Sequence, residues 1–273
     1  MVVLNFIFFG ITDNIYFNIM KKYTNYLLYS LILLITICFS FCTNRKSGKL
    51  SLNSDIQNKQ ISCIKKVNFG KDILCLPKVD GMTESYDNIL IKNLADKFES
   101  KDNKTSAFYL NDDTFSRIEN IKDEKLEDYF KIFVSKGLIN ETVDINLINN
   151  FAKRIEDGFI EMKWEKLENN IRDQLPNLSF DKPILIDSYS PHKNVRTQVT
   201  LSKIIISGRE HFMICASNLM LINERLIFSA YYLKYKEKNT FDITKEKNDY
   251  LVLKILEENK VKYGGALTLI AEA

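Results

Sequence analysis

A chain of 273 residues that is 45% hydrophobic and 12% aromatic can bury the core of one good-sized domain, which excludes a wholly disordered polypeptide. Thirty-eight Lys and Arg against 35 Asp and Glu leave a charge of only +3, and the signs interleave along nearly every segment, which excludes a basic face for nucleic acid. Two histidines exclude a metal site built on three or more, and nine glycines leave no Gly-rich phosphate loop, so neither a metal nor a cofactor is expected.

Residues 20–42 run from Met20, Lys21 and Lys22 through an apolar core at 26–41 to Cys42 and a polar tail, the layout of an export signal. A second apolar run at 2–11 makes little sense upstream of a complete signal, so Met20 is the expected start; the alternative keeps Met1 and inserts both runs in the membrane. Three endings of the signal fit. Lipidation at Cys42 is favoured, although Phe41 stands where a bacterial lipoprotein site wants a small residue. Ordinary cleavage after Ser40 or Cys42 finds a small residue two positions before each. An uncleaved anchor approaches the ~17–20 apolar residues that span a bilayer. All three export the protein to the cell envelope, and the first and third tether it to the membrane. Residues 43–60, rich in Ser, Asn and Lys, then form a flexible tether.

The folded domain is expected over 61–259. Residues 61–67 and 71–76 read as a hairpin, and a turn centred on Phe69 sets Cys63 opposite Cys75. In a non-hydrogen-bonded pair, with alpha carbons ~4.5 Å apart, that arrangement accepts a disulfide; two buried thiols on adjacent strands are the plainer reading. Cys215, inside the apolar run 212–222, belongs to the core. Residues 77–88, broken at Asp80 and Gly81, read as a loop. A helix over 88–98 places Ile89, Leu90, Leu94 and Phe98 on one side, and 106–110 is a short strand ending at Asn111, Asp112 and Asp113.

Residues 126–136 read as a helix burying Tyr129, Phe130 and Phe133 or Val134. Residues 146–175 form a longer amphipathic helix, with Ile148, Phe151 and Ile155 on one stripe, Trp164 and Leu167 on a shifted one, and a bend or break near Gly158. Then the period changes to two. Residues 183–189, 195–207, 211–221 and 225–235 are four strands joined by short loops, hence consecutive antiparallel neighbours. A closing helix over 241–258 has Asp242 or Thr244 as its cap, buries Tyr250, Leu251, Leu253, Ile255 and Leu256, and ends at Asn259. The tail 260–273 is either an edge strand or disordered.

These elements describe an α+β fold in which helices cover a mostly antiparallel sheet. The stretch from Phe69 through Leu76, Pro77 and Gly81, followed by Leu219, Ile222, Arg225, Leu226, Ile227, Ala230 and Tyr231 and by the helix carrying Asp249, Tyr250, Leu253 and Ile255, resembles the PsbP-like superfamily, including its DcrB-type exported bacterial members. The resemblance implies an α/β sandwich serving as a binding or accessory domain, with no catalytic residues to carry over.

No catalytic constellation stands out. Ser188, His192 and Asp187 share one extended segment whose side chains alternate between faces, so they form no triad. Two loops remain as surfaces for a ligand or an envelope protein partner. One is 80–88, with Thr83, Glu84 and Tyr86; the other is 187–196, with Tyr189, His192 and Arg196. The expected function is an exported, membrane-tethered accessory or binding protein of the bacterial cell envelope, the alternative an envelope hydrolase whose carboxylates meet only in the fold.

Overall fold

The computed structural model describes residues 63–97, 99–118, 126–158, 178–206 and 209–259, all within one compact unit. The expected export signal with Cys42, the expected tether, Trp164 with the second half of the long predicted helix, and the tail lie outside the described residues. No helix among the described residues is long and apolar enough to cross a membrane.

In chain order the elements are β1 (Cys63–Phe69), β2 (Asp72–Pro77), β3 (Met82–Glu84), α1 (Ile89–Lys97), β4 (Asn103–Asn111), α2 (Asp112–Phe115), β5 (Asp128–Ser135), α3 (Ile145–Glu156), β6 (Leu178–Phe180), β7 (Ile184–Tyr189), β8 (Val195–Ile206), β9 (Arg209–Ile222), β10 (Arg225–Lys234) and α4 (Thr240–Glu258). The main sheet is ordered β3-β4-β5-β10-β9-β8, with β6 and β7 both pairing along β8. Its ladders are antiparallel, so the fold is α+β. The four predicted strands form the consecutive ladder β7-β8-β9-β10, because loops this short leave no room for a crossover.

Residues 126–136 are not a helix: Asp128–Ser135 is a central strand between β4 and β10. Tyr129, Phe130, Ile132, Phe133 and Val134 are all buried, because both sheet faces are covered. A short apolar run buried on both sides has no polar face to reveal its period, and its aromatic and β-branched residues suit a strand.

One face of the sheet packs beneath α4 and the β1–β2 hairpin, joining Phe69, Leu74 and Leu76 to Tyr109, Phe130, Ile227, Tyr231, Leu251 and Ile255 in one core. The buried stripe of α4 is Leu251, Val252, Ile255 and Leu256, whereas the predicted Tyr250 and Leu253 are exposed. Polar residues decide that rotation. Asn248 and Asn218 of β9 exchange side-chain hydrogen bonds of 2.8 and 3.1 Å in the core, and Thr197 Oγ1 donates to Asn218 Oδ1 at 2.7 Å. Neither Asp242 nor Thr244 caps α4; Asn239 is the cap residue, and Thr240 Oγ1 accepts from the Lys236 and Glu237 amides.

Against the other face, α3 packs on β8 and β9 and α1 on β4. Asp144 caps α3, accepting from the Leu147 amide at 2.9 Å. The helix ends at Glu156, and Gly158 follows with φ +85°, so the predicted break falls there. Helix α1 buries Ile91 and Ala95, half-buries the predicted Leu94 and leaves the predicted Ile89 and Leu90 exposed, so its packed face is rotated from the predicted one. Its cap explains the rotation: Asn88 Oδ1 accepts from the Leu90 amide at 2.9 Å, placing Ile89 and Leu90 in a solvent-facing first turn.

Candidate functional site

The hairpin closes through Gly70 and Lys71, with Phe69 paired to Asp72, so its centre lies past the predicted one at Phe69. Gly70 has φ +59° at the first central position, as a type II′ turn requires. A Cβ there would strike the Ile139 carbonyl oxygen and lie 2.7 Å from Asn140 Oδ1. Cys63 and Cys75 are joined in a disulfide with alpha carbons 5.3 Å apart, in place of the two thiols of the plainer reading. They are not opposite one another: Cys75 faces Lys66 and Cys63 faces Pro77, across an irregularity that leaves Ile64 without a partner.

The hairpin sits above the β3 edge of the sheet, and the two enclose an open groove of about 610 Å³. Ile64 and Lys65 of β1 form one wall, Met82, Thr83 and Glu84 of β3 the other, with Lys78, Val79, Asp80 and Gly81 at the turn between them and Asp87 and Asp112 on the rim. The predicted 77–88 loop therefore contains a short edge strand. Gly81, with φ +74°, makes the turn that lets Met82 donate to the Val79 carbonyl at 3.3 Å.

Lys65 ties the groove together. On β1 the inward positions are Cys63, Lys65, Val67 and Phe69, so the lysine is directed inward by strand alternation. Its Nζ lies 2.9 Å from Glu84 Oε2 and 2.8 Å from Asp87 Oδ1. Partial burial pulls its pKa down, but hydrogen bonds and charges from Asp87 and Glu84 outweigh that and hold it above the ordinary lysine value. Glu84 Oε1 also accepts from the Tyr86 amide at 3.0 Å. Thr83 Oγ1 donates to Asp112 Oδ1 at 2.7 Å, and Tyr250 reaches Asp80 Oδ2 at 3.4 Å.

Of the predicted residues, Thr83 and Glu84 line this groove. Tyr86 stands behind it, donating to Asp96 Oδ1 at 2.7 Å, with the ammonium groups of Lys65 and Lys92 each 5.8 Å from its ring centre. Burial and the Asp96 carboxylate push its phenol pKa up. Tyr189, His192 and Arg196 lie along β7 and β8, at the far end of the strand order from β3, so the structure does not bring the two loops together. Tyr189 donates to Asp249 Oδ1 at 2.7 Å beneath Lys245, whose Nζ is 4.3 Å from the ring centre. His192 Nδ1 accepts from the Asn194 amide at 3.2 Å, and burial, then Lys193, lowers its pKa. Arg196 donates to the carbonyls of Val195 and Lys193. The His192 and Arg196 contacts shape the second loop locally, and those of Tyr189 tie it to α4.

Sequence reasoning missed Lys65, Lys78 and Asp87. A signal existed for Lys65: a lysine at an inward position between Cys63 and Val67 requires an anionic partner. Among the described residues no three His, Cys, Asp or Glu side chains are grouped to hold a metal ion. No protein-family model matches the chain, and none of the curated proteins compared with it matches.

Proposed function

We propose that this chain is an exported, membrane-tethered accessory or binding protein of the bacterial cell envelope, a PsbP-like sandwich whose working surface is the groove between β1 and β3. Export and tethering rest on the layout of residues 20–42. The binding role rests chiefly on one observation: Lys65 spans the groove and holds Glu84 and Asp87 in place, a preformed polar lining beside the apolar Ile64, Val79 and Met82.

Mass spectrometry of the mature amino terminus tests the address, with a lipidated Cys42 as the expected result. Intact envelopes should yield the chain together with a ligand or partner; recovery only as a free cytosolic monomer removes the reading. A pair drawn from the four carboxylates that line the cleft, Asp80, Glu84, Asp87 and Asp112, supports a second reading as an envelope hydrolase. Hydrolysis by such a pair gives a bell-shaped pH profile that Asp112→Asn flattens. The ion pairs of Glu84 and Asp87 with Lys65 favour the binding role.

A further inference from the structure

We propose that the groove takes an extended basic polypeptide segment, which adds to the hairpin as a third strand along β1. The inference rests on the binding role and names the ligand.

The hairpin has two unequal edges. Across its two-residue turn Phe69 and Asp72 exchange ladder bonds, and alternation extends that pairing to Val67–Leu74 and Lys65–Leu76. The backbone groups of Lys66 and Asn68 therefore point away from β2, and Ile64 has no partner across the ladder. Outside the β1–β2 ladder, no backbone group among the described residues bonds Lys66 or Asn68. The β2 edge is closed instead: Asn259 Oδ1 accepts from the Cys75 amide at 2.8 Å, and its Nδ2 donates to the Cys75 carbonyl at 2.9 Å. One carboxamide thus supplies both bonds that a neighbouring strand would make. Ile64, at the start of the open edge, lines the groove, and Lys66 and Asn68 continue that edge beyond it.

Facing it, β3 is the last strand of the main sheet. The Gly81 carbonyl accepts from the Asp112 amide just past β4 and the Ser85 amide donates to the Phe108 carbonyl of β4, so alternation turns the Glu84 backbone away from β4. A segment that enters the groove past Ile64 and runs on along Lys66 and Asn68 would meet open backbone on β1 and, at Glu84, on β3. Strand addition satisfies those groups through its main chain, leaving specificity to alternate side chains.

Charge selects the ligand's sign. Four carboxylates border the groove against two ammonium groups, Lys65 and Lys78. Ile64 is half exposed at 49%, giving an apolar residue of the segment a place to pack. Alternating basic and apolar side chains match this lining, whereas an acidic segment meets repulsion.

The test titrates the isotopically labelled full chain with three blocked hexapeptides: alternating Lys and Val, alternating Glu and Val, and the Lys–Val peptide N-methylated at every second residue. We expect the Lys–Val peptide to bind and shift the amides of Ile64, Lys66 and Asn68. N-methylation should weaken it about tenfold or more by removing the strand donors. Lys66→Pro should abolish binding by removing an outward amide. Should that variant not fold, Asp80→Asn combined with Asp112→Asn changes only groove charge and should weaken the Lys–Val peptide. Absence of binding, equal binding of the N-methylated or the Glu–Val peptide, or indifference to the Asp80 and Asp112 changes overturns the proposal. A photo-crosslinker at position 78 in intact cells separates the two failures. Crosslinking to an envelope protein when the peptides fail overturns strand addition alone, and failure of both overturns the binding role too.

Discussion

Lys131 is wholly buried on β5 and paired with Glu99, whose carboxylate also accepts from Asn103 Nδ2 and Thr105 Oγ1 at 3.1 Å each. Removing one member leaves the other charge buried alone, so Lys131→Met is expected to cost about 3–5 kcal/mol in urea unfolding, and adding Glu99→Gln should recover most of it. Four buried tyrosines surround the same sheet, and burial is the first cause raising the pKa of Tyr109, Tyr129, Tyr231 and Tyr232; burial also pushes the Cys215 thiol up to about 12. A neutral acid whose folded pKa is raised keeps its proton in the native state after the unfolded chain has lost it. Its contribution is therefore full at neutral pH and falls as pH rises through the unfolded values, 9.0 for Cys215 and 10.0 for the tyrosines. Lys131 acts oppositely: burial lowers its folded pKa, so stability rises with pH up to its unfolded value of 10.5. One lysine against five acids leaves the net sign negative. Circular dichroism across pH 9–12 should show cooperative loss of structure coincident with phenolate formation by the buried tyrosines, and titration of Tyr109, Tyr129, Tyr231 or Tyr232 at pH 10 in a still folded chain would contradict the burial argument.

At the scale of elements, the hairpin depends on its turn and its crosslink. Gly70→Ala puts a side chain at φ +59° and against Ile139, so it should lower stability by more than the ~1 kcal/mol of conformational strain alone, read as a drop in Tm. Reducing Cys63–Cys75, 12 residues apart, should cost about 3 kcal/mol on the chain-entropy account. Double replacement Cys63→Ser with Cys75→Ser should give the same loss and make Tm insensitive to reductant. Strand β5 illustrates where element prediction fails: residues 129–134 are apolar on both faces except at Lys131, which is itself buried, and only the neighbours β4 and β10 distinguish strand from helix. Strands β7 to β10 were legible because short polar loops punctuated them.

For the whole molecule, β5, β10 and β9 lie at the centre of the sheet with both faces covered, while β3 and β7 are peripheral. Hydrogen exchange should be slowest in the central three and fastest at the periphery; uniform protection would deny this gradation. The sequence by itself determined the α+β class, the β7–β10 meander, the closing helix and two residues of the groove, Thr83 and Glu84, because periodicity and turn chemistry are local. The tertiary structure alone decided the strand identity of β5, the rotation of α1 and α4, and the meeting of Lys65 with Glu84 and Asp87. Those outcomes depend on partners distant in sequence: Lys65 and Glu84 come from different sheets, 19 residues apart, and no local pattern specifies that one layer will fold over the other.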